Sequence, residues 1–362
     1  MIVFHLITRL NVGGTSTWML KLLSNKKNNF EQILCFGSVD RYEVENKFYL
    51  RFNYRRIKNL KKSINPMKDF LALLEIRKML IEIKPDIINT HTFKSGVIGR
   101  IAVLTLLKKP QVVHTYHGHL LYGYFGLFKK FFYITTEKLL SKITDAFIVN
   151  GNRVKDDLLK VKIISSSNYK VIFPSTNLRN VNLKQAKHFK SKLGIEKNAF
   201  VVGWMGRFTE IKRPELVLNI ARELPNDNFI MGGKGELFEK LKLLAPENVT
   251  FLNWIDPKTF WSVCDIAILT SRNEAIPYAL VEAASHKLPI IAPNTGSISD
   301  ILSKENGIFA EKEKEFVDAI TYLKLNTKVR KKMGNVSRNI VKESYNDNTF
   351  TTMHFQIYKS LL

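Results

Sequence analysis

The chain has 362 residues, enough for two cores of roughly 150 to 200 residues each. Hydrophobic residues make up 45% and charged residues 24%, a globular balance that excludes disordered and fibrous classes. The net charge of +24 is uneven: residues 1–175 carry 29 Lys/Arg against 12 Asp/Glu, so most of the basicity is N-terminal.

Residues 1–14 lack the basic region, long apolar stretch and cleavage site of a secretory leader, and read instead as a first strand. Strand-like apolar runs then recur at 2–7, 32–36, 87–90, 112–116, 146–149 and 170–173, with helical patterns at 17–24, 66–83 and 96–107. The apolar run 101–107 stops at Lys108 and Lys109, short of the roughly 20 residues that cross a bilayer. Residues 173–198 read as a linker. After it the cycle restarts, with strands at 200–204, 228–232, 249–252, 266–269 and 289–292. Such alternation specifies an α/β fold of parallel sheets covered by helices. The expected division is 1–175, 176–345 and a closing helix at 346–362.

Residues 51–68 hold Arg51, Arg55, Arg56, Lys58, Lys61, Lys62 and Lys68 and no acid, which suits a polyanion or an anionic lipid surface, or a plain solvated face. The aromatic and basic stretch 122–130 reads either as a membrane attachment or as a buried helix entrance. Cys35 and Cys264 stand far apart with no zinc-type spacing, so neither a disulfide framework nor a metal site is expected, and a reducing cytoplasm fits.

Four stretches carry chemistry. In Ser271-Arg-Asn-Glu-Ala-Ile-Pro-Tyr-Ala-Leu-Val-Glu, Glu274 and Glu282 follow an apolar strand, and Pro277 suits the first turn of a helix whose amides near Ile276 to Tyr278 favour an anion. This sets two carboxylates, natural acceptors for sugar or ribose hydroxyls, at the carboxyl end of a parallel strand. After strand 200–204 come Gly206, Arg207 and Lys212, cations that can hold a diphosphate as its bond breaks. No Asp-x-Asp occurs, so cationic side chains are the economical reading and no metal is expected. Gly233 and Gly235 make a glycine-rich turn that lets backbone approach a nucleotide, or simply a structural turn. In the first half, Gly13 and Gly14 form a loop opening a helix, without the full dinucleotide or P-loop pattern. The run Val113-His-Thr-Tyr-His-Gly-His ends a strand with three histidines. His117 and His119 have no acidic companion, which favours hydrogen bonding in a cleft over zinc.

Together these residues resemble the GT-B glycosyltransferases of family four, the group 1 transferases, over nearly the whole chain. The resemblance implies two Rossmann-like domains with parallel sheets facing a central cleft. It implies that Glu274 binds donor-sugar hydroxyls, Glu282 the ribose, and Arg207 and Lys212 the diphosphate. Gly13–Gly14 is similar to the family's N-terminal loop and His117 to its cleft histidine. Ala275 and Lys287 stand where glycine is common, and Lys287 would strain a tight helix-to-strand turn. Gly296–Ser297 and Ser175–Thr176 depart from the family's Gly-Gly and Asn-Gly.

The implied reaction retains anomeric configuration, needs no cofactor, and takes a nucleotide-sugar donor, with UDP the expected nucleotide. The acceptor is a saccharide or lipid-linked saccharide for surface polysaccharide, met by the N-terminal domain at the inner membrane face. Nucleic acid is not an expected partner. A nucleotide-sugar 2-epimerase of the same architecture, or a silent basic partner subunit, are the alternatives.

Overall fold

The computed structural model describes every residue except 25–29, 42, 119, 120, 122–125 and 179–181, and leaves the side chains of Leu127 and Leu183 undescribed. The chain divides into two compact units, Met1–Phe173 with Asn348–Leu362, and Pro174–Asp347.

In the first unit, seven strands form one sheet: β1 (Ile2–Arg9), β2 (Glu31–Gly37), β3 (Tyr54–Arg56), β4 (Ile87–His91), β5 (Gln111–Tyr116), β6 (Ala146–Val149) and β7 (Tyr169–Val171). Their order is β3-β2-β1-β4-β5-β6-β7, and every pairing is parallel. The helices are α1 (Gly14–Leu23), α2 (Pro66–Ile83), α3 (Phe93–Leu104), α4 (Leu127–Ser141) and α5 (Asn152–Lys160). All five residues of β4 are buried, as in a strand covered on both faces, although Asn89, Thr90 and His91 are polar. Helix α2 starts where the side chain of Asn65 accepts the Lys68 amide at 3.0 Å with Pro66 next in line, and ends at Lys84 in the left-handed region, φ 49°.

The second unit carries β8 (Val201–Met205), β9 (Asn228–Gly232), β10 (Val249–Leu252), β11 (Ile266–Ile268), β12 (Ile290–Ala292) and β13 (Gly307–Phe309), in the order β10-β9-β8-β11-β12-β13. All are parallel. Around them lie α6 (Leu183–Lys192), α7 (Pro214–Glu223), α8 (Phe238–Leu243), α9 (Pro257–Trp261), α10 (Tyr278–Ser285), α11 (Glu313–Leu325) and α12 (Thr327–Ser344). Helix α6 occupies what reads in the sequence as linker. Helix α13 (Asp347–Ser360) then closes the chain, and its Tyr358 hydroxyl accepts a 2.6 Å hydrogen bond from the Asn89 amide within the first unit.

Three aspartates, each one residue ahead of a strand, fix the register at the amino ends of the sheets. Asp86 accepts the Ile2 amide at 2.7 Å, Asp145 the Val112 amide at 2.7 Å and Asp265 the Val201 amide at 3.0 Å. The clamped pairs are β1/β4, β5/β6 and β8/β11.

Under the first sheet lies a sealed ion pair. Arg100 on α3 holds both carboxylate oxygens of Glu137 on α4, at 3.0 and 2.9 Å, and neither side chain has any accessible surface. Tyr116 donates to the same carboxylate at 2.6 Å. Removing one partner from such a pair leaves a charge stranded, whereas removing both is far cheaper. Glu137→Leu is expected to destabilise the first unit by about 3–5 kcal/mol, and the double variant Arg100→Met/Glu137→Leu to recover most of that in urea denaturation. A single variant as stable as wild type would show that the pair is hydrated.

Candidate functional site

In the second sheet the order reverses between β8 and β11, and such a reversal opens a crevice beyond the carboxyl ends of the strands. Arg207 and Lys212 follow β8, and Glu274 follows β11. Lys212 Nζ forms an ion pair with Glu274 Oε1, and Ser271 donates to the same oxygen at 2.6 Å. Thr270 ties the two strand ends together, donating to the carbonyls of Lys212 and Arg213 at 2.7 and 2.9 Å while accepting from Trp204 Nε1 at 3.1 Å. The Arg272 amide adds a 2.9 Å bond to the Ile211 carbonyl. Arg207, in the loop after β8, is half-buried, and its guanidinium makes no hydrogen bond or ion pair to a described residue. It is a cation partly withdrawn from water and left without a counter-charge, which suits an anionic ligand.

The loops after β8 and β9 are zipped backbone to backbone. Gly206 N–H donates to the Gly232 carbonyl and Phe208 N–H to the Lys234 carbonyl, both at 3.0 Å. Gly233 has φ +130°, and a Cβ there would overlap the Gly206 carbonyl oxygen, so only glycine fits. Gly235 meets the Phe208 backbone in the same way. The close approach that these glycines permit is thus between two loops of the site itself, a tighter constraint than the sequence pattern conveys.

Glu274 is buttressed from behind: the Ser297 amide donates to its carbonyl at 3.1 Å, and Gly296, at φ +55°, is packed so tightly against that carbonyl that a Cβ would collide with it. Pro277 stands one residue before the first turn of α10, at the cap, with Ile276 and Pro277 both buried. Burial first, then the charges of Glu282 and Asp347, push the Tyr278 phenol well above its ordinary value, so it stays neutral. Glu282 lies one helical turn further along α10 and is half-buried. Beyond the helix, Lys287 has φ 62°, the strained left-handed turn that its position implied, and its carbonyl packs where a Cβ on Gly334 of α12 would sit.

In the first unit, Gly13 and Gly14 open α1 beyond the carboxyl end of β1, and the Val12 amide there donates to the Val44 carbonyl at 2.8 Å. His117 follows β5, half-buried, with its ring edge-on to Trp18 at 5.1 Å between centroids. Its Nε2 lies 3.0 Å from Nδ1 of His91, whose Nε2 lies 3.4 Å from Nδ1 of His5. His354 of α13 packs on the other side of Trp18 at 5.4 Å. Sequence reasoning missed His5, His91 and His354. The one signal available was polar residues within fully buried strands. His119 lies outside the described residues, as do 122–125 of the aromatic stretch. Among the described residues no group of three His, Cys, Asp or Glu could hold a metal ion, and both cysteines are free and buried.

Comparison with known proteins matches residues 13–179 to the model of Glycosyltransferase Family 4 and residues 185–340 to that of Glycosyl transferases group 1. Spanned by these two models, the chain belongs to the family-four, group 1 glycosyltransferases. It is 28% identical over 266 residues to UDP-Gal:alpha-D-GlcNAc-diphosphoundecaprenol alpha-1,3-galactosyltransferase of Escherichia coli, covering 69% of this chain and 68% of that protein. It is 24% identical to the capsular polysaccharide biosynthesis glycosyltransferase CapM of Staphylococcus aureus, covering 95% of this chain and 93% of the other. Anabaena HepE, solved with UDP and glucose, superposes with a TM-score of 0.83 at 16% identity over 99% of this chain and 100% of that one. The fold is accordingly GT-B.

The buried imidazoles make the first unit sensitive to acid. Removal from water lowers the pKa of His5 to about 4 and of His117 and His354 to about 3, against an ordinary value of 6.5. Below pH 6.5 the unfolded chain binds more protons than the native one, so stability is lost as pH falls from 6.5 towards those values. Replacing His354 with Phe removes one such site. Between pH 6.5 and 5.5 the wild type should therefore lose about 1 kcal/mol more stability than His354→Phe, measured by urea midpoints. Parallel pH profiles would refute this.

Proposed function

We propose that this protein is a retaining glycosyltransferase that moves a sugar from a UDP-linked donor to a saccharide or lipid-linked saccharide in surface-polysaccharide biosynthesis. The observation that carries the reading is the Lys212–Glu274 pair at the β8/β11 reversal, together with Arg207 in the loop after β8, half-buried and without a side-chain partner among the described residues. The donor names in the comparisons support it: the E. coli relative is named for UDP-Gal and a diphosphoundecaprenol acceptor, and the HepE structure holds UDP and glucose.

In this reading the bond between sugar C1 and the diphosphate breaks while the acceptor oxygen bonds C1 on the same face. The acceptor's proton passes to the departing diphosphate, so no protein nucleophile is needed. Arg207 and Lys212 meet the charge that develops on that diphosphate. Glu274 accepts from donor-sugar hydroxyls and Glu282 from the ribose. The interlocked Gly206, Gly233 and Gly235 loops and the Ile276–Pro277–Tyr278 helix entrance shape the nucleotide pocket. The first unit takes the acceptor, with Gly13 and Gly14 as further donor-binding residues and His117 as a catalytic one. Arg207→Ala and Lys212→Ala are each expected to lower turnover by about two orders of magnitude at saturating donor, with little change in thermal midpoint. Near-wild-type turnover in both variants would remove this diphosphate site.

The acceptor chemistry points to the inner face of the cell membrane. No helix among the described residues is long and apolar enough to cross a membrane. Instead, α2 exposes Met67, Phe70, Leu71 and Leu74 on one side, next to exposed Ile64, Arg55, Lys58, Lys62 and Lys68. Helix α4 exposes Phe128, Phe131 and Phe132. Apolar side chains set among cations suit the interfacial layer of an anionic bilayer. Arg56 contributes less than the sequence suggests, because it is ion-paired to Glu45 and lies over the Phe36 and Tyr49 rings. At roughly 1 kcal/mol per cation, Arg55→Gln/Lys61→Gln/Lys62→Gln should release the protein from anionic liposomes in sedimentation, with added salt acting likewise. Equal binding by both proteins would leave the cluster as a solvated face.

A further inference from the structure

The four groups Gln32, His5, His91 and His117 form one hydrogen-bonded line along the carboxyl ends and interior of β2, β1, β4 and β5. Gln32 anchors it. Its Nε2 faces the Leu22 carbonyl at 3.4 Å, and a carbonyl oxygen only accepts, so the amide orientation is fixed and Oε1 faces His5 Nε2 at 3.1 Å. That oxygen also only accepts, which puts the single proton of a neutral His5 on Nε2. His5 Nδ1 is then a lone pair, and the group facing it, His91 Nε2 at 3.4 Å, must donate. His91 Nδ1 is in turn a lone pair, and His117 Nε2, 3.0 Å away, must donate to it. Each ring has one proton to place and each placement dictates the next.

Neutrality of all three rings is the condition for this, and burial supplies it. Desolvation drives His91 well below its ordinary value, with the neighbouring imidazoles of His117, His5, His114 and His354 adding to the effect, and lowers His5 and His117 too. The rings of His91 and His117 are stacked at 5.2 Å with 28° between planes, and Trp18 closes the edge of His117 at 5.1 Å, so the last ring has little freedom to turn over.

We infer that Gln32, His5 and His91 are positioning residues that hold His117 as its Nε2–H tautomer and leave its Nδ1 as a bare acceptor. The inference rests on the reading of His117 as a substrate-facing residue and adds what that residue recognises. A bare Nδ1 accepts from a hydroxyl group of the bound saccharide and cannot donate to one of its oxygens. With a pKa of about 3, this nitrogen orients a hydroxyl without retaining its proton, which leaves the departing diphosphate as the proton's destination.

The test is ring-nitrogen NMR on the full-length protein labelled with ¹⁵N-histidine at pH 7, with His117 assigned by the signal that His117→Ala removes. The expected spectrum shows His117 as a single Nε2–H species with an unprotonated Nδ1; an Nδ1–H or imidazolium species overturns the inference. In Gln32→Leu, which loses the anchoring acceptor, His117 is expected to become a mixture of tautomers. An unchanged tautomer in a folded Gln32→Leu protein also refutes the relay. Turnover separates this from the wider reading: full transfer activity in His117→Ala would sink the substrate-facing role whatever the spectra show.

Discussion

At the start of a parallel strand an amide can lie beyond its neighbour's ladder, and in this chain Asp86, Asp145 and Asp265 supply the acceptor to Ile2, Val112 and Val201. Two of these clamps hold the pairs β1/β4 and β8/β11, the strands between which each sheet reverses order. A crevice opens at the opposite ends of those same pairs. Because side chains in a strand alternate with period two, a slip of one residue at the clamp would turn His5 and His91 to the other face of their sheet. The positions of the candidate site groups at the carboxyl ends are thus tied to carboxylates at the amino ends.

The two units solve the problem of polar groups near a sheet in opposite ways. In the second, charge is present and matched: Lys212 with Glu274, and backbone to backbone between the glycine loops. Arg207 has no such partner among the described residues. In the first, charge is suppressed. A row of imidazoles is kept neutral by burial, and the ion pair of Arg100 and Glu137 is sealed from water. A neutral row transmits direction, through which nitrogen carries a proton, where a charged group would transmit attraction.

Much of this was legible in the chain. The strands at 146–149, 228–232 and 249–252 and the helix at 66–83 have the bounds that their apolar patterns indicate. The edge strands β3 and β13 escaped notice, being three residues long with mixed exposure. Glu274, Glu282, Arg207 and Lys212 stood out as candidates because they lie in short stretches that follow two strands, and the structure brings Lys212 and Glu274 together. The histidine row did not stand out. His5, His91, His117 and His354 are scattered over most of the sequence and meet only once the order β1-β4-β5 and the return of α13 are fixed. Spacing along a chain reports on local turns. It says nothing of which strands become neighbours.

That return gives the chain an unusual order of assembly. The second unit is continuous, Pro174–Asp347, while the first is split around it and needs Asn348–Leu362 for completion. During synthesis the second unit has its whole sequence before the first does. Until the last turns of α13 emerge, Trp18 lacks Phe350 and His354, and Asn89 lacks the Tyr358 hydroxyl. The N-terminal unit, although made first, is therefore the last to receive all of its packing partners.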